Sequence, residues 1–287
     1  MNLFMTPIKF CKLHGFGNDY IVIEKSELAD VKDIGEFTKK ICHRHIGVGS
    51  DGIAVLEKLE DLEADYSCRI INPDGSEAGF SGNGTRCAVA YLYYKNLWRE
   101  TSLKLKTKSG IKSYELLKQD NFTYWFLAEL GQPKFDLPEP SIGEKQNSKE
   151  FGLLIPSEEM AIRFTFVDVG NPVAVIFLQD FKQIDWRRFG NKIEIAPIFP
   201  ERTNVVFVKI IDRKNIEIRI WERGAGETSS SGTCSIAAAV ASAFTDKTGR
   251  KVSVHAIGGT TEAVWREDGE MMITGHADLV FCGEYFF

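Results

Sequence analysis

Residues 222–233 read ERGAGETSSSGT, a glycine-loosened loop running into the alanine-rich stretch IAAAVASAF (236–244). The pattern puts small polar groups at a helix N-terminus. An earlier stretch, GFSGNGTRCAVAYLYY (79–94), repeats it, so Ser81-Gly82-Asn83 and Ser231-Gly232-Thr233 read as two copies of one device. The first turn of a helix carries backbone N–H groups without intrahelical acceptors, and the helix dipole adds partial positive charge there. A carboxylate fits such a seat. Two seats facing each other across a cleft would hold one small acid from both sides.

Around these loops, short runs rich in β-branched and aromatic residues alternate with polar turns. They include IKFCKL (8–13), YIVIE (20–24), IAVLE (53–57), YSCRIIN (66–72), FTYWFLAEL (122–130), IRFTFVDV (162–169), VAVIFL (173–178), NVVFVKII (204–211), IEIRIW (216–221) and KVSVHAI (251–257). Each predicts a strand. Helical patterns are fewer: 31–44, 183–194, and the segments after Gly84 and Gly232. Many strands with few interspersed helices predict an α+β fold. The stretch 131–160 holds four of the nine prolines and little periodicity, which marks a domain junction or a long surface excursion. The chain thus divides into two similar mixed domains, 1–130 and 131–276. Sequence identity between them is slight beyond the S-G-(N/T) loop.

Composition excludes several classes. The 287 residues are 44% hydrophobic and 26% charged, in the range of ordinary globular chains. A net charge of -5 argues against a nucleic-acid partner. The locally basic LKLKTKSGIKSYELLK (103–118) reads as a solvated strand face. No apolar run reaches the length of about 20 residues that a membrane span needs. The N-terminus, MNLFMTPIKF, lacks the basic-then-apolar pattern of a secretory signal, so a cytoplasmic location is expected. Cys11, Cys42, Cys68, Cys87, Cys234 and Cys282 are scattered without framework spacing and read as free, mostly buried thiols. Cys42-His43 and His45 have no second cluster to complete a tetrahedral site, so no metal is expected. GVGSDG (47–52) matches G-x-G-x-x-G, but its apolar run follows instead of preceding it, so dinucleotide binding is rejected.

Six motifs then appear in order: HGFGNDYIVIE (14–24), HRHIGVGSDGIAVLE (43–57), INPDGSEAGFSGNGTRC (71–87), VGNPVAV (169–175), ERTNVVF (201–207) and ERGAGET (222–228). Together they resemble the diaminopimelate epimerase family, and the resemblance spans essentially the whole chain. It implies two pseudo-symmetric domains, each a curved mixed sheet wrapped round a central helix, with the ligand between them. It also implies that the last strand, about 277–287, completes the first domain. The helices after Ser81 and Ser231 would be the central ones, and Ala88, Ala90 and Ala237 to Ala239 suit a helix enclosed by a sheet. Alanine is also simply the best helix former.

The resemblance implies cofactor-independent racemisation at an α-carbon of an amino acid, which needs one base to remove the proton and an acid on the opposite face to return one, both within hydrogen-bond reach of the substrate. In the family both groups are cysteines. Here Ser81 and Ser231 stand at those positions. The family's GNPH histidine is replaced by Val173, while the second helper remains as Glu222. A hydroxyl is a far weaker acid than a thiol and needs an adjacent base. Cys234, one helical turn beyond Ser231, reads as a small buried hydrophobe.

By resemblance, Gly82, Asn83, Gly232 and Thr233 supply the donors for the reacting carboxylate, and Asn18 with the Glu222 segment lies near the reacting amino group. Asn72, Asn171, Asn204 and Arg223 match positions that grip the distal amino-acid end of diaminopimelate. An Arg grips a carboxylate with two parallel bonds, and asparagine offers both donor and acceptor. Arg86 and Glu227 read as scaffold. The partner expected is a small amino acid, with a homodimer implied by the family and no cofactor. Three readings stay open: an epimerase using serines, a paralogue that binds a diaminopimelate-like ligand without turnover, or a lyase or isomerase on another amino acid.

Overall fold

The structure is a computed structural model that describes residues 7–60, 63–136, 149–155 and 160–287. Residues 1–6 of the N-terminal stretch, and 137–148 and 156–159 of the proline-rich region, lie outside the described residues. The chain divides into two compact units, one taking in the residues up to Ala128 with Gly275–Phe287, the other Glu129–Thr274.

In the first unit, β1 (Ile8–Gly15) and β2 (Asn18–Glu24) pair antiparallel. Phe16 and Gly17 between them both have positive φ (54° and 85°), as a two-residue type I′ turn requires. α1 (Ile34–Cys42) starts at Asp33, whose side chain accepts from Glu36 N–H, and buries Phe37 and Ile41. It leads to β3 (Ile53–Lys58), parallel to β2. β4 (Tyr66–Ile71) is antiparallel to β3 and turns back into the short β5 (Glu77–Ala78). After α2 (Gly82–Tyr94), β6 (Ser102–Thr107) returns parallel to β4, with β7 (Gly110–Asp120) antiparallel to β6. β8 (Thr123–Glu129) follows. The basic run is this β6–β7 hairpin. Lys104 and Lys106 are exposed while Leu103 and Leu105 are buried, the alternation of a half-buried strand. Lys112 departs from the expected solvated face: it is buried, with its ammonium over the Phe80 ring.

The second unit opens with β9 (Phe151–Ile155), a strand inside the stretch read as aperiodic, paired with β10 (Met160–Asp168). β11 (Pro172–Phe177) is antiparallel to β10. α3 (Trp186–Glu194) crosses to β12 (Asn204–Asp212), parallel to β11. β13 (Asn215–Glu222) is antiparallel to β12, and the short β14 (Gly226–Thr228) folds back on β13. α4 (Gly232–Phe244) then leads to β15 (Lys251–Ala256), parallel to β13, and β16 (Gly259–Trp265) is antiparallel to β15. Strand for strand, this is the pairing order of the first unit. The duplication faint in the sequence is explicit in the register.

β17 (Met271–Tyr285) pairs with β16 through Met271–Thr274, and with β1 through Asp278–Tyr285. That second pairing corrects the reading of six free thiols. Cys11 and Cys282 are register partners and form a disulfide across a sequence separation of 271. Cys42, Cys68, Cys87 and Cys234 are free and buried. Two cysteines so far apart carry no spacing signal; only the strand register brings them together.

Both 13-residue helices that follow the repeated loops are enclosed. Every residue from Gly82 to Leu92 in α2, and from Gly232 to Ser242 in α4, is buried. A helix covered on all sides must present small groups where strands approach closely. Ala88, Ala90, Ala237 and Ala238 have no exposed surface at all. Beyond these helices, separate cores form around Phe37, Ile21 and Ile53 in the first unit, and around Phe164, Phe166 and Phe207 in the second. Among the described residues no helix is long and apolar enough to cross a membrane.

Candidate functional site

The two repeated loops share one backbone geometry. Ser81 (φ -136°, ψ 121°) and Ser231 (φ -148°, ψ 123°) are the N-caps of α2 and α4. Ser81 Oγ accepts from Gly84 N–H at 3.1 Å, and Ser231 Oγ from Cys234 N–H at 3.4 Å. The N–H groups of Gly82 and Asn83, and of Gly232 and Thr233, head the two helices without intrahelical acceptors. These are the positions that the resemblance implies for the reacting carboxylate.

In the first unit, Ser81 Oγ lies 2.9 Å from Tyr20 Oη. Asn83 and Asn18 join it in a network. Asn83 Nδ2 donates to Asn18 Oδ1 at 3.1 Å, and Arg86 Nη1 donates to Asn83 Oδ1 at 3.0 Å and to the His276 carbonyl at 3.2 Å. Arg86 is only 1% exposed, and Gly275 leaves the space in which its guanidinium lies. Asn18 Nδ2 donates in turn to Asp51 Oδ2 at 2.8 Å. Asp51 is held by Arg44 at 2.6 Å, and Arg44 also forks onto Asp19, which Lys12 reaches at 2.8 Å. Burial opposes ionisation of Asp19, but Arg44 and Lys12 outweigh it and hold its carboxyl below the ordinary range. Burial and the neighbouring Asp19 charge push Asp51 the other way. The whole arrangement fixes the Asn18 amide in one orientation.

Asn72 stands past the end of β4, its amide on Ser76 Oγ at 3.0 Å. Among the described residues no hydrogen bond joins it to the Asn18–Ser81 group.

In the second unit, Ser231 donates to Glu222 Oε2 at 2.9 Å, and Thr228 donates to Glu222 Oε1 at 2.7 Å. Thr233 Oγ1 lies 3.3 Å from Ser231 Oγ. The next residue, Arg223, gathers the remaining asparagines. Its N–H donates to Asn204 Oδ1 at 3.1 Å, and its guanidinium reaches Asn171 Oδ1 at 3.4 Å and the Glu201 carbonyl at 2.8 Å. Asn204 Nδ2 donates to the Pro172 carbonyl. Glu222, Ser231, Arg223, Asn171 and Asn204 therefore cluster at the end of β13.

Val173 is fully buried in β11, opposite Val167 and Asn204, and brings no base there. Cys234 has no exposed surface, and burial pushes its thiol far above the usual range, with Glu222 adding to the shift. It is a packing residue. Glu227 forms a two-pronged ion pair with Arg187. Sequence reasoning missed Tyr20, Asp19, Arg44 and Asp51. Tyr20 and Asp19 follow Asn18 within a quoted motif, and Arg44 and Asp51 lie in the next one. Motif membership was the available signal, but what each touches depends on the fold.

A duplicated unit in which a sheet wraps a hydroxyl-capped helix defines a diaminopimelate-epimerase-like fold. A hydroxyproline epimerase from Agrobacterium vitis shares it, with a TM-score of 0.72 over 99% of this chain and 94% of that one, at 15% identity. So does a phenazine biosynthesis protein of the PhzF family from Bacillus anthracis, with a TM-score of 0.70 over 99% and 100% of the two chains, at 18% identity. Sequence similarity narrows the class. The pattern described as diaminopimelate epimerase matches residues 10–135 and 165–280. The diaminopimelate epimerase of Pelotomaculum thermopropionicum is 38% identical over 277 residues, covering 96% of this chain and 98% of that protein. That of Phocaeicola vulgatus is 39% identical over 283 residues, covering 97% and 98%. The chain belongs to the diaminopimelate epimerase family.

Proposed function

We propose that this protein is a cofactor-independent epimerase that interconverts LL- and meso-diaminopimelate, with Ser81 and Ser231 as its proton-transfer groups. The observation that carries the reading is the pairing of each hydroxyl with a partner able to move its proton, Ser231 with Glu222 and Ser81 with Tyr20. A bare serine hydroxyl is inert as an acid or base at neutral pH, and an adjacent ionisable group makes it usable. The helix N-termini favour the negative charge of the substrate carboxylate and of the carbanion it stabilises. Arg223 with Asn171 and Asn204 supplies the donors and acceptors that a second amino-acid end requires.

Proton exchange tests this directly. In heavy water, purified protein should replace the α-hydrogen of diaminopimelate by deuterium, read as loss of the α-proton NMR signal. Glu222→Gln keeps the shape and removes the base, and should slow exchange by about 10²–10⁴-fold, the usual worth of a positioned acid or base. Tight calorimetric binding with no exchange in the wild type would instead favour a ligand-binding paralogue, a reading supported by the buried, non-ionisable Val173.

A further inference from the structure

The two capped hydroxyls are not equivalent. Ser231 Oγ sits against a carboxylate oxygen, which only accepts, so its O–H must point to Glu222. Among the described residues no carboxylate hydrogen-bonds to Ser81 Oγ. Its oxygen already accepts from Gly84 N–H, and its other partner, the Tyr20 phenol, is a better acid than an alcohol.

The Tyr20 ring also occupies a built slot. A Cβ added at Gly84 would lie 2.9 Å from Tyr20 Cε1, and a Cβ added at Gly52 would lie 2.9 Å from the same atom. Gly84 in α2 and Gly52 just before β3 thus leave the space this ring fills, and Tyr20 is only 6% exposed. A phenol this buried, with two glycines bordering its ring, has little freedom to leave its partner.

We propose that Tyr20 is the positioning residue of Ser81: it donates to Ser81 Oγ, leaves the serine O–H for the substrate, and restores that proton after transfer. This rests on the isomerase reading above. Ser231 with Glu222 is then the base side and Ser81 with Tyr20 the acid side for one direction of epimerisation. The bonds balance as follows. The substrate Cα–H breaks, its electron pair stays on the substrate, and the proton passes to Ser231 oxygen as the Ser231 proton moves to Glu222. The Ser81 O–H breaks and its proton forms the new Cα–H bond. The Tyr20 proton moves to Ser81 oxygen, and solvent reprotonates the phenolate and deprotonates Glu222. Charge left by the transfer rests on a phenolate, which is more stable than an alkoxide because the ring delocalises it. The reverse direction runs through the same groups with the roles exchanged.

Tyr20→Phe keeps the ring and removes the oxygen. It should lower kcat by about 10²-fold or more with KM within about threefold, and abolish the alkaline limb of the pH–rate profile. Replacing Tyr20 by 3-fluorotyrosine, a more acidic phenol, should move that limb to lower pH. Adding Tyr20→Phe to Ser81→Ala should slow exchange no further, because the proposed proton path from Tyr20 runs through Ser81. A readout independent of turnover is the ¹³Cζ resonance of labelled Tyr20, which should shift in Ser81→Ala. An active wild type whose Tyr20→Phe variant matches it in rate and pH profile overturns the relay alone. So does a Tyr20 resonance indifferent to Ser81→Ala. A wild type that exchanges no α-proton overturns the isomerase reading and takes the relay with it.

Discussion

Gly84→Ala probes the slot that holds Tyr20, and its cost can be worked out atom by atom. The new Cβ would lie 2.9 Å from Tyr20 Cε1, 3.1 Å from Tyr20 Cδ1 and 2.9 Å from Ile70 Cδ1. Comfortable carbon contacts lie at about 3.5–4.0 Å, so the ring and the isoleucine must each yield by roughly half an ångström or more. The ring also lies close to Gly52, where an added Cβ would stand 2.9 Å from the same Cε1, so it has little room to shift. Overpacking of this kind costs about 1–3 kcal/mol. Alanine in place of glycine in a helix returns up to about 1 kcal/mol. The net expectation is a loss of about 0–3 kcal/mol in denaturant unfolding. Activity should respond more steeply. The Tyr20–Ser81 contact is 2.9 Å, and moving the phenol half an ångström away takes it beyond the usual O–H···O limit of about 3.0 Å. Exchange of the α-proton should fall by about tenfold or more, as expected when a proton-transfer group loses its partner. Gly249→Ala serves as the comparison, since its Cβ would meet only the Arg213 carbonyl at 3.6 Å. That variant should be neutral, or more stable by up to about 1 kcal/mol. Should Gly84→Ala match the wild type in both stability and exchange rate, the steric reasoning about the slot is wrong.

Cys282→Ser removes a cross-link spanning a sequence separation of 271, and should cost about 2–5 kcal/mol in unfolding under non-reducing conditions. Reductant should reproduce the loss in the wild type, and a wild-type midpoint indifferent to reductant would show that the two thiols are not joined. Stability should also fall on acidification through His276. Burial holds this imidazole below its ordinary value; Asp278 opposes the shift, while Arg86 and His14 add to it. The unfolded chain therefore binds the proton more readily than the folded one. The contribution is fully present above about pH 6.5 and is lost as pH falls through the folded value. His276→Asn should flatten the slope of stability against pH in that window, and an unchanged slope would assign it elsewhere.

Much of the fold was legible in the chain itself. Alternating runs such as SLKLKT in β6 show their period directly, because one face of a strand is buried and the other wet. The repeated S-G-(N/T) loops announce two helix starts, because an N-cap needs a small oxygen-bearing side chain at one local position. β9 escaped this reading, since its five residues sit within a proline-rich, aperiodic stretch. Candidate site residues were legible only as types at motif positions. That Ser231 would find Glu222 followed from the retained helper. That Ser81 would find Tyr20, that Asn18 would be clamped by Asp51 and Asn83, and that Cys11 would face Cys282 did not follow from any spacing. Periodicity, capping and composition are local, and a single sequence states them outright. Which side chains meet across strands depends on register and crossover, where a shift of one residue turns every side chain to the other face. Only the folded chain decides that.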